Sequence, residues 1–391
     1  MHYLELGGAE ISLIGLLQAL DYSRYDVDLF VHRYQGELME FIPRAVNLLP
    51  EITAYACIES PLTEAIRRGQ LGVVWGRLKA KWRARIYQPK NPAIPQCAIY
   101  QYIAQETEPY LPSLERYGEY DLAISFLQPH NYVLSKVRAK KKTCWIHTDY
   151  TRVEFDVDAE LPIWSAYDHI VSISPDVTKT FIQVFPSLKC KIAEIENILS
   201  PLFVKRRAEE MDVKNEMPKN GTVINVLSVG RFHEQKNFDN IPEICHRILK
   251  SGINIRWYII GFGDDSLIQQ KIDESRMKDH VIILGKRTNP YPYMKACDIY
   301  AQPSRYEGKS VTVREAQMLC KPVIITNYPT ANSQVQDRVD GLIVPMDNEG
   351  CAKGIVNFIK NKQLQKDIID YLHSNDYGNM NEVNKIDLLF R

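Results

Sequence analysis

Short apolar, β-branched runs alternate with stretches of helical periodicity along the whole chain. Runs at 25–31, 120–126, 142–146 and 168–173 are followed in the second half by runs at 223–229, 255–260, 281–284, 298–301, 322–326 and 341–344. Near-continuous apolar runs of this length suit strands buried on both faces, and the helical stretches between them supply the crossovers that parallel neighbours need. Both halves therefore read as α/β. Residues 205–221 are charged and poor in large apolar side chains, and they close with Pro218 and Gly221. That composition places a linker over 201–221, between an N-terminal domain at 1–200 and a C-terminal domain at 222–375. Only about five residues precede Gly7-Gly8, fewer than a first strand normally supplies, so this strand reads as either truncated or misassigned.

One stretch has a pattern of its own. Leu71, Trp75, Leu78, Trp82 and Ile86 fall at helical spacing, and the segment 67–90 holds eight basic residues (Arg67, Arg68, Arg77, Lys79, Lys81, Arg83, Arg85 and Lys90) and no acidic one. A basic amphipathic helix with tryptophans suits an anionic membrane surface. The same stripe would equally suit packing on the first domain's sheet, with the cations merely solvated.

Composition narrows the classes. With 391 residues, 45% hydrophobic and 25% charged, the chain can bury two domain cores. Lys+Arg and Asp+Glu are equal at 48 each, so the global basic excess of a nucleic-acid binder is absent and a charged partner must be met by a local patch. No apolar run approaches the roughly 18 residues of a spanning helix, and the start lacks the pattern of a signal peptide. The eight cysteines include no Cys-x-x-Cys pair, which argues against a zinc knuckle or a disulfide framework and for a reducing, cytoplasmic setting.

Candidate chemistry sits where apolar runs end. Gly230-Arg231-Phe232-His233-Glu234-Gln235-Lys236-Asn237 follows a strong strand, the place where parallel sheets bind ligands. Gly230 allows close approach of backbone, Arg231 can fork onto phosphate oxygens, and Lys236 adds a point charge, so a diphosphate could be neutralised without a metal. Glu307 and Glu315 stand eight residues apart. A helical spacing of that length is roughly 12 Å, too long for a glycosidase carboxyl pair, so they are expected to touch two ends of one ligand. Gly308 puts Glu307 in a loop, while Lys309, Ser310, Val311 and Thr312 lead into a helix whose first N–H groups suit an anion. Gly261 and Gly263 form either a turn beside a nucleotide or a purely structural one; the third glycine of a dinucleotide fingerprint is replaced by Ser266. Gly7 and Gly8 open a helix and either border a phosphate or simply make the turn. His147 ends a strand, as a site residue or as an ordinary hydrogen-bonded one.

In order and spacing, Gly7-Gly8-Ala9-Glu10, Gly230-Arg231 with Lys236-Asn237, and Glu307 with Glu315 resemble family 4 glycosyltransferases. The resemblance implies a GT-B fold, with two Rossmann-like domains facing across a cleft and a last helix over 376–391 crossing back to the first domain. It also implies sugar transfer from a nucleotide-sugar donor to a glycan or lipid-linked acceptor, with retention and without a metal or other cofactor. Arg231 and Lys236 would hold the leaving diphosphate, Glu307 the donor sugar and Glu315 the ribose. Backbone from Lys309 to Thr312 would cradle sugar and phosphate, with Gly230, Gly261 and Gly263 lining the donor site. Gly7 and Gly8 would border the phosphates, and His147 would face the sugar. Surface polysaccharide biosynthesis at the inner face of the membrane is the expected setting. Lys309 stands where an apolar residue is common, and Tyr328-Pro329-Thr330-Ala331-Asn332 replaces a glycine-rich loop. A nucleotide-sugar epimerase and a catalytically silent partner subunit share the same fold signals and remain open at this level.

Overall fold

The computed structural model describes all residues except 6, 89–96, 152, 220, 308 and 309. The chain forms two compact units, Met1–Leu199 together with Asn379–Arg391, and Ser200–Gly378.

In the first unit a short parallel pair, β1 (Asp28–Leu29) and β2 (Asn47–Leu48), accompanies a four-stranded parallel sheet of β3 (Glu119–Ser125), β4 (Arg138–Ile146), β5 (His169–Ser172) and β6 (Ile192–Glu194), adjacent in that order. Only two residues of the expected strand at 25–31 are paired in a ladder. Residues 1–5 form no strand; Met1 and His2 carbonyls accept from the His32 and Arg33 N–H groups, both at 2.8 Å, and bury Leu4 against the neighbouring turn. Cys144, Ile146, Trp164, Ile170 and Phe181 form a core beside β4 and β5. A cavity of about 870 Å³ in this unit is lined by Leu13, Phe30, Tyr120, Phe126 and Ile386 among others, and by none of the expected site residues.

The closing segment is a 3-10 helix, Met380–Phe390, in place of the expected helix over 376–391. It packs in the first unit. Ile386 and Leu389 are buried, Tyr25 stacks on Phe390 at 5.9 Å, and the Glu382 carboxylate accepts from the Glu196 N–H at 3.0 Å.

The second unit is one six-stranded parallel sheet, β7 (Ile224–Val229), β8 (Ile255–Ile260), β9 (Val281–Gly285), β10 (Ile299–Gln302), β11 (Val323–Thr326) and β12 (Leu342–Val344), in the spatial order β12-β11-β10-β7-β8-β9. This is the doubly wound Rossmann order. Apart from the half-buried edge strand β9, its strands are largely buried because helices cover both faces, with Trp257 and Ile259 of β8 in one core with Ile244, Ile248, Ile355 and Phe358 of the covering helices.

Residues 201–221 are no linker. Ser200 caps the helix Pro201–Ala208, whose Phe203 and Val204 are buried, with Phe203 edge-on to Tyr291 at 6.1 Å. The charges that read as solvated spacer are paired within the unit, Glu216 with Arg287 and Glu209 with Lys295. Pro218 lends its carbonyl to the buried Asn225 at 3.1 Å.

Candidate active site at the sheet reversal

In the second unit the chain runs β7, β8, β9 to one edge and then returns to lay β10 on the other side of β7. Loops leaving the carboxyl ends of β7 and β10 therefore diverge, and the crevice between them is where such sheets hold ligands. Both main motifs lie on these loops.

The β7 loop is tied to the β8 loop. Gly230 donates to the Ile260 carbonyl at 3.0 Å and Phe232 to that of Phe262 at 2.8 Å. A side chain on Gly261 would place its Cβ 2.0 Å from the Gly230 oxygen, and Gly263 has φ of 122°. The two glycines at 261 and 263 are thus explained by loop packing, the structural-turn reading. A 3-10 turn, Glu234–Lys236, ends on Asn237 in the left-handed region at φ 59°. This reversal carries the Lys236 stem back over Gly230, where a Cβ would lie 3.2 Å from Lys236 Cε. Arg231 is exposed on the same loop.

The β10 loop answers it. Lys236 Nζ lies 2.5 Å from Glu307 Oε1, and the two side chains are only 16% and 6% exposed. Ser304 Oγ donates to the same carboxylate oxygen at 2.6 Å, and Gln235 Nε2 donates to the other at 3.2 Å. Thr330 Oγ1 donates to the Glu307 carbonyl at 2.6 Å. Arg305 fastens the loops together, its N–H on the Gln235 carbonyl at 2.8 Å and its guanidinium 3.3 Å from Asp239, which also pairs with Lys271 at 2.8 Å. Burial works to raise the Asp239 carboxyl, but the bonds from Lys271 and Arg305 outweigh it and hold the group below its ordinary value.

Glu315 sits in the helix Val311–Met318 and is 4% exposed. The Tyr291 hydroxyl donates to its Oε1 at 2.7 Å. Burial pushes the carboxyl up to about 7, against the opposing pull of that bond. At the helix start the Ser310 N–H, expected to be open to an anion, donates instead to Gln334 Oε1 at 3.0 Å, while Gln334 Nε2 returns a bond to the Ser310 carbonyl. Tyr328 donates to the same Gln334 oxygen at 3.0 Å. Thr312 Oγ1 accepts from Tyr300 at 2.7 Å, and Val311 is 41% exposed. Lys309 lies outside the described residues.

The second unit thus brings together Gly230, Lys236 and Glu307, with Arg231 on the same loop and Glu315 in the helix that follows. Gly7, Gly8 and His147 belong to the first unit. Gly7 caps the helix Gly8–Ala19; the Glu10 carboxylate occupies the space its side chain would take, at 2.2 Å, while Gly8 faces open space. Burial raises the Glu10 carboxyl above its ordinary value. His147, one residue past β4, packs on Phe126 with ring centroids 4.8 Å apart. Burial lowers its imidazole to about 4, against a backbone hydrogen bond at Phe126, so the ring is neutral near pH 7.

Sequence reasoning passed over Gln235, Ser304, Tyr291 and Gln334. Gln235 lies inside a quoted motif and Ser304 two residues past β10, so position flagged both. Tyr291 and Gln334 act 24 residues away from Glu315 and Ser310, and no local pattern marks them.

Residues 209–374 match the family described as glycosyl transferases group 1. A Campylobacter jejuni N-acetylgalactosamine-N,N'-diacetylbacillosaminyl-diphospho-undecaprenol 4-alpha-N-acetylgalactosaminyltransferase is 31% identical over 145 residues, 36% of this chain and 39% of that protein. An Escherichia coli UDP-Gal:alpha-D-GlcNAc-diphosphoundecaprenol alpha-1,3-galactosyltransferase is 27% identical over 124 residues, 31% and 32% of the two chains. The alignments span about two fifths or less of these relatives. In fold, the chain is similar to Anabaena Alr3699/HepE, solved in complex with UDP and glucose, at a TM-score of 0.59 and 15% identity over 99% of this chain and 96% of that one. The fold is accordingly GT-B, with two Rossmann-like units, and its second unit carries the stretch, residues 209–374, that matches the glycosyl transferases group 1 model.

Proposed function

We propose that the protein transfers a sugar, with retention, from a nucleoside-diphosphate sugar to a glycan or lipid-linked acceptor in surface polysaccharide assembly. The observation that carries this is the Lys236–Glu307 pair, contributed by the two loops that part at the sheet reversal. A diphosphate leaving the anomeric carbon gathers negative charge, and cations held in place before the reaction stabilise that charge without reorganising. Lys236 is held by Glu307, and Arg231 adds a forked donor for phosphate oxygens. Glu307, fixed by Ser304 and Gln235, accepts from sugar hydroxyls. Glu315 accepts from the ribose diol once Tyr291 yields part of its hydrogen bonding. With two cations on one loop, the leaving group needs no metal.

The curated relatives point to the acceptor class, since both named here act on undecaprenol diphosphate-linked sugars. The test is incubation with a panel of nucleoside-diphosphate sugars, first alone and then with a polyprenyl-diphosphate-linked saccharide, in excess chelator. Slow donor hydrolysis and a longer saccharide with the donor's anomeric configuration are expected. Sugar isomerisation without a larger product would replace transfer by epimerisation, and nucleotide binding without turnover would reduce the protein to a partner subunit.

A further inference from the structure

The helix Leu71–Ile86 is packed by its small residues. Val73, Gly76 and Ala80 are buried, and a Cβ on Gly76 would lie 2.4 Å from the Glu106 carbonyl oxygen of the neighbouring helix Ala98–Thr107. Close approach there turns the large apolar stripe outward, so the alternative, packing of that stripe on the sheet, does not occur. Leu71 is 64% exposed, Trp75 54%, Leu78 45%, Trp82 64% and Ile86 59%.

The cations divide by side. Arg77 and Arg83 flank the packed face and are consumed there. Arg77 donates to the Cys57 and Ser60 carbonyls, and Arg83 donates to Gln105 at 3.1 Å and Glu106 at 2.8 Å. Lys79, Lys81 and Arg85 are exposed and flank the apolar stripe on both sides, roughly 60–100° from its centre at 3.6 residues per turn. Lys79 Nζ lies 5.7 Å from the Trp75 ring. No helix of the described residues is long and apolar enough to cross a membrane, and this one combines the features of a helix that lies on one: an apolar ridge with tryptophans, rimmed by long cations that can keep their heads in the headgroup layer.

We propose that Leu71–Ile86 is an interfacial docking helix for an anionic lipid bilayer. Charge complementarity selects the occupant. In a chain of zero formal net charge the stretch 67–90 carries no carboxylate, so the exposed Lys79, Lys81 and Arg85 beside the apolar stripe are left for anionic headgroups to satisfy. The docking is independent of the transferase reading, because neither nucleotide nor acceptor takes part in it.

Binding of the full chain to vesicles of phosphatidylglycerol with phosphatidylcholine, against phosphatidylcholine alone, tests this. Trp145, Trp164 and Trp257 are at most 4% exposed, so a fluorescence blue shift and quenching by brominated lipid report on Trp75 and Trp82. Both signals are expected with the anionic vesicles and are expected to fade as salt rises. Lys79→Gln/Lys81→Gln/Arg85→Gln should weaken vesicle binding about 100-fold at unchanged melting temperature, and Trp75→Ser/Trp82→Ser should abolish the shift. The wild-type quenching needs no variant to fold. Equal binding to neutral and anionic vesicles, no binding, or burial of these tryptophans only on self-association in sedimentation would each overturn the proposal, the last making the face an interface between copies.

Discussion

The two units share an all-parallel α/β plan and differ in where their sheets reverse. In the first, β3 to β6 lie side by side in chain order, and the described strands contain no reversal. In the second, β10 returns across β7, and the two loops at that point converge on one ion pair, with Lys236 and Ser304 on one Glu307 oxygen and Gln235 on the other. Similar apolar runs therefore built two sheets with different chemical potential. What distinguishes them is strand order, which decides whether strand-end loops can meet around a ligand.

The comparison breaks if the chemistry is spread evenly. Lys236→Ala and Arg231→Ala are each expected to lower kcat by about 10²-fold or more with little change in melting temperature, since the leaving diphosphate loses in the first the cation that Glu307 holds in place and in the second the forked donor. His147→Ala in the first unit should cost less than about tenfold, because its neutral ring offers one ordinary hydrogen bond. Steady-state rates with the preferred donor decide this, and equal losses at 147 and 236 would end the distinction.

Glu315 sharpens it. Its carboxyl lies near 7 in the folded protein against an ordinary 4.5, so the folded state prefers the protonated form. The associated stability is fully present below about pH 4.5 and is lost as pH rises through about 7, by about 3 kcal/mol. Urea unfolding should show wild type losing ground to Glu315→Gln between pH 4.5 and 7. Nucleoside diphosphate binding should run the opposite way, strengthening in wild type as the carboxylate ionises, falling about tenfold in Glu315→Gln at pH 8 and staying nearly unchanged in Glu307→Gln. Equal losses by calorimetry would mean that the donor lies the other way round.

Glycines offer a paired test of packing. Gly261→Ala drives a Cβ into the Gly230 carbonyl and should cost about 1–3 kcal/mol in chemical denaturation, whereas Gly8→Ala, facing open space at a helix start, should stay within about 0.5 kcal/mol. The smallest effect is expected at Gln334. Its removal in Gln334→Ala frees the Ser310 N–H for an anion, and nucleoside diphosphate affinity should rise by about fivefold or less, the worth of one exchanged hydrogen bond.

Much of this was legible beforehand where the signal is local. Apolar runs located ten strands, though the run at 25–31 pairs over only Asp28–Leu29, because β1 has a single short partner. Gly230, Lys236 and Glu307 were marked by their places at strand ends. Residues 201–221 misled, since charge alone does not tell a solvated spacer from one whose Glu209 and Glu216 find Lys295 and Arg287. A closing helix was implied by the family resemblance alone, and its 3-10 geometry was not legible.

By itself the sequence determined the α/β class, the strand-end loops and the amphipathic character of 71–86, because spacing along a chain sets which side chains share a face. The tertiary structure alone decided which face is covered. On Leu71–Ile86 the small residues won, since Gly76 lets a neighbouring backbone come closer than any leucine would. It also decided that Tyr291 shields Glu315 and that Gln334 takes the Ser310 N–H. Burial and hydrogen-bond pairing depend on partners distant in the chain, and periodicity names the direction of a side chain without naming what it meets.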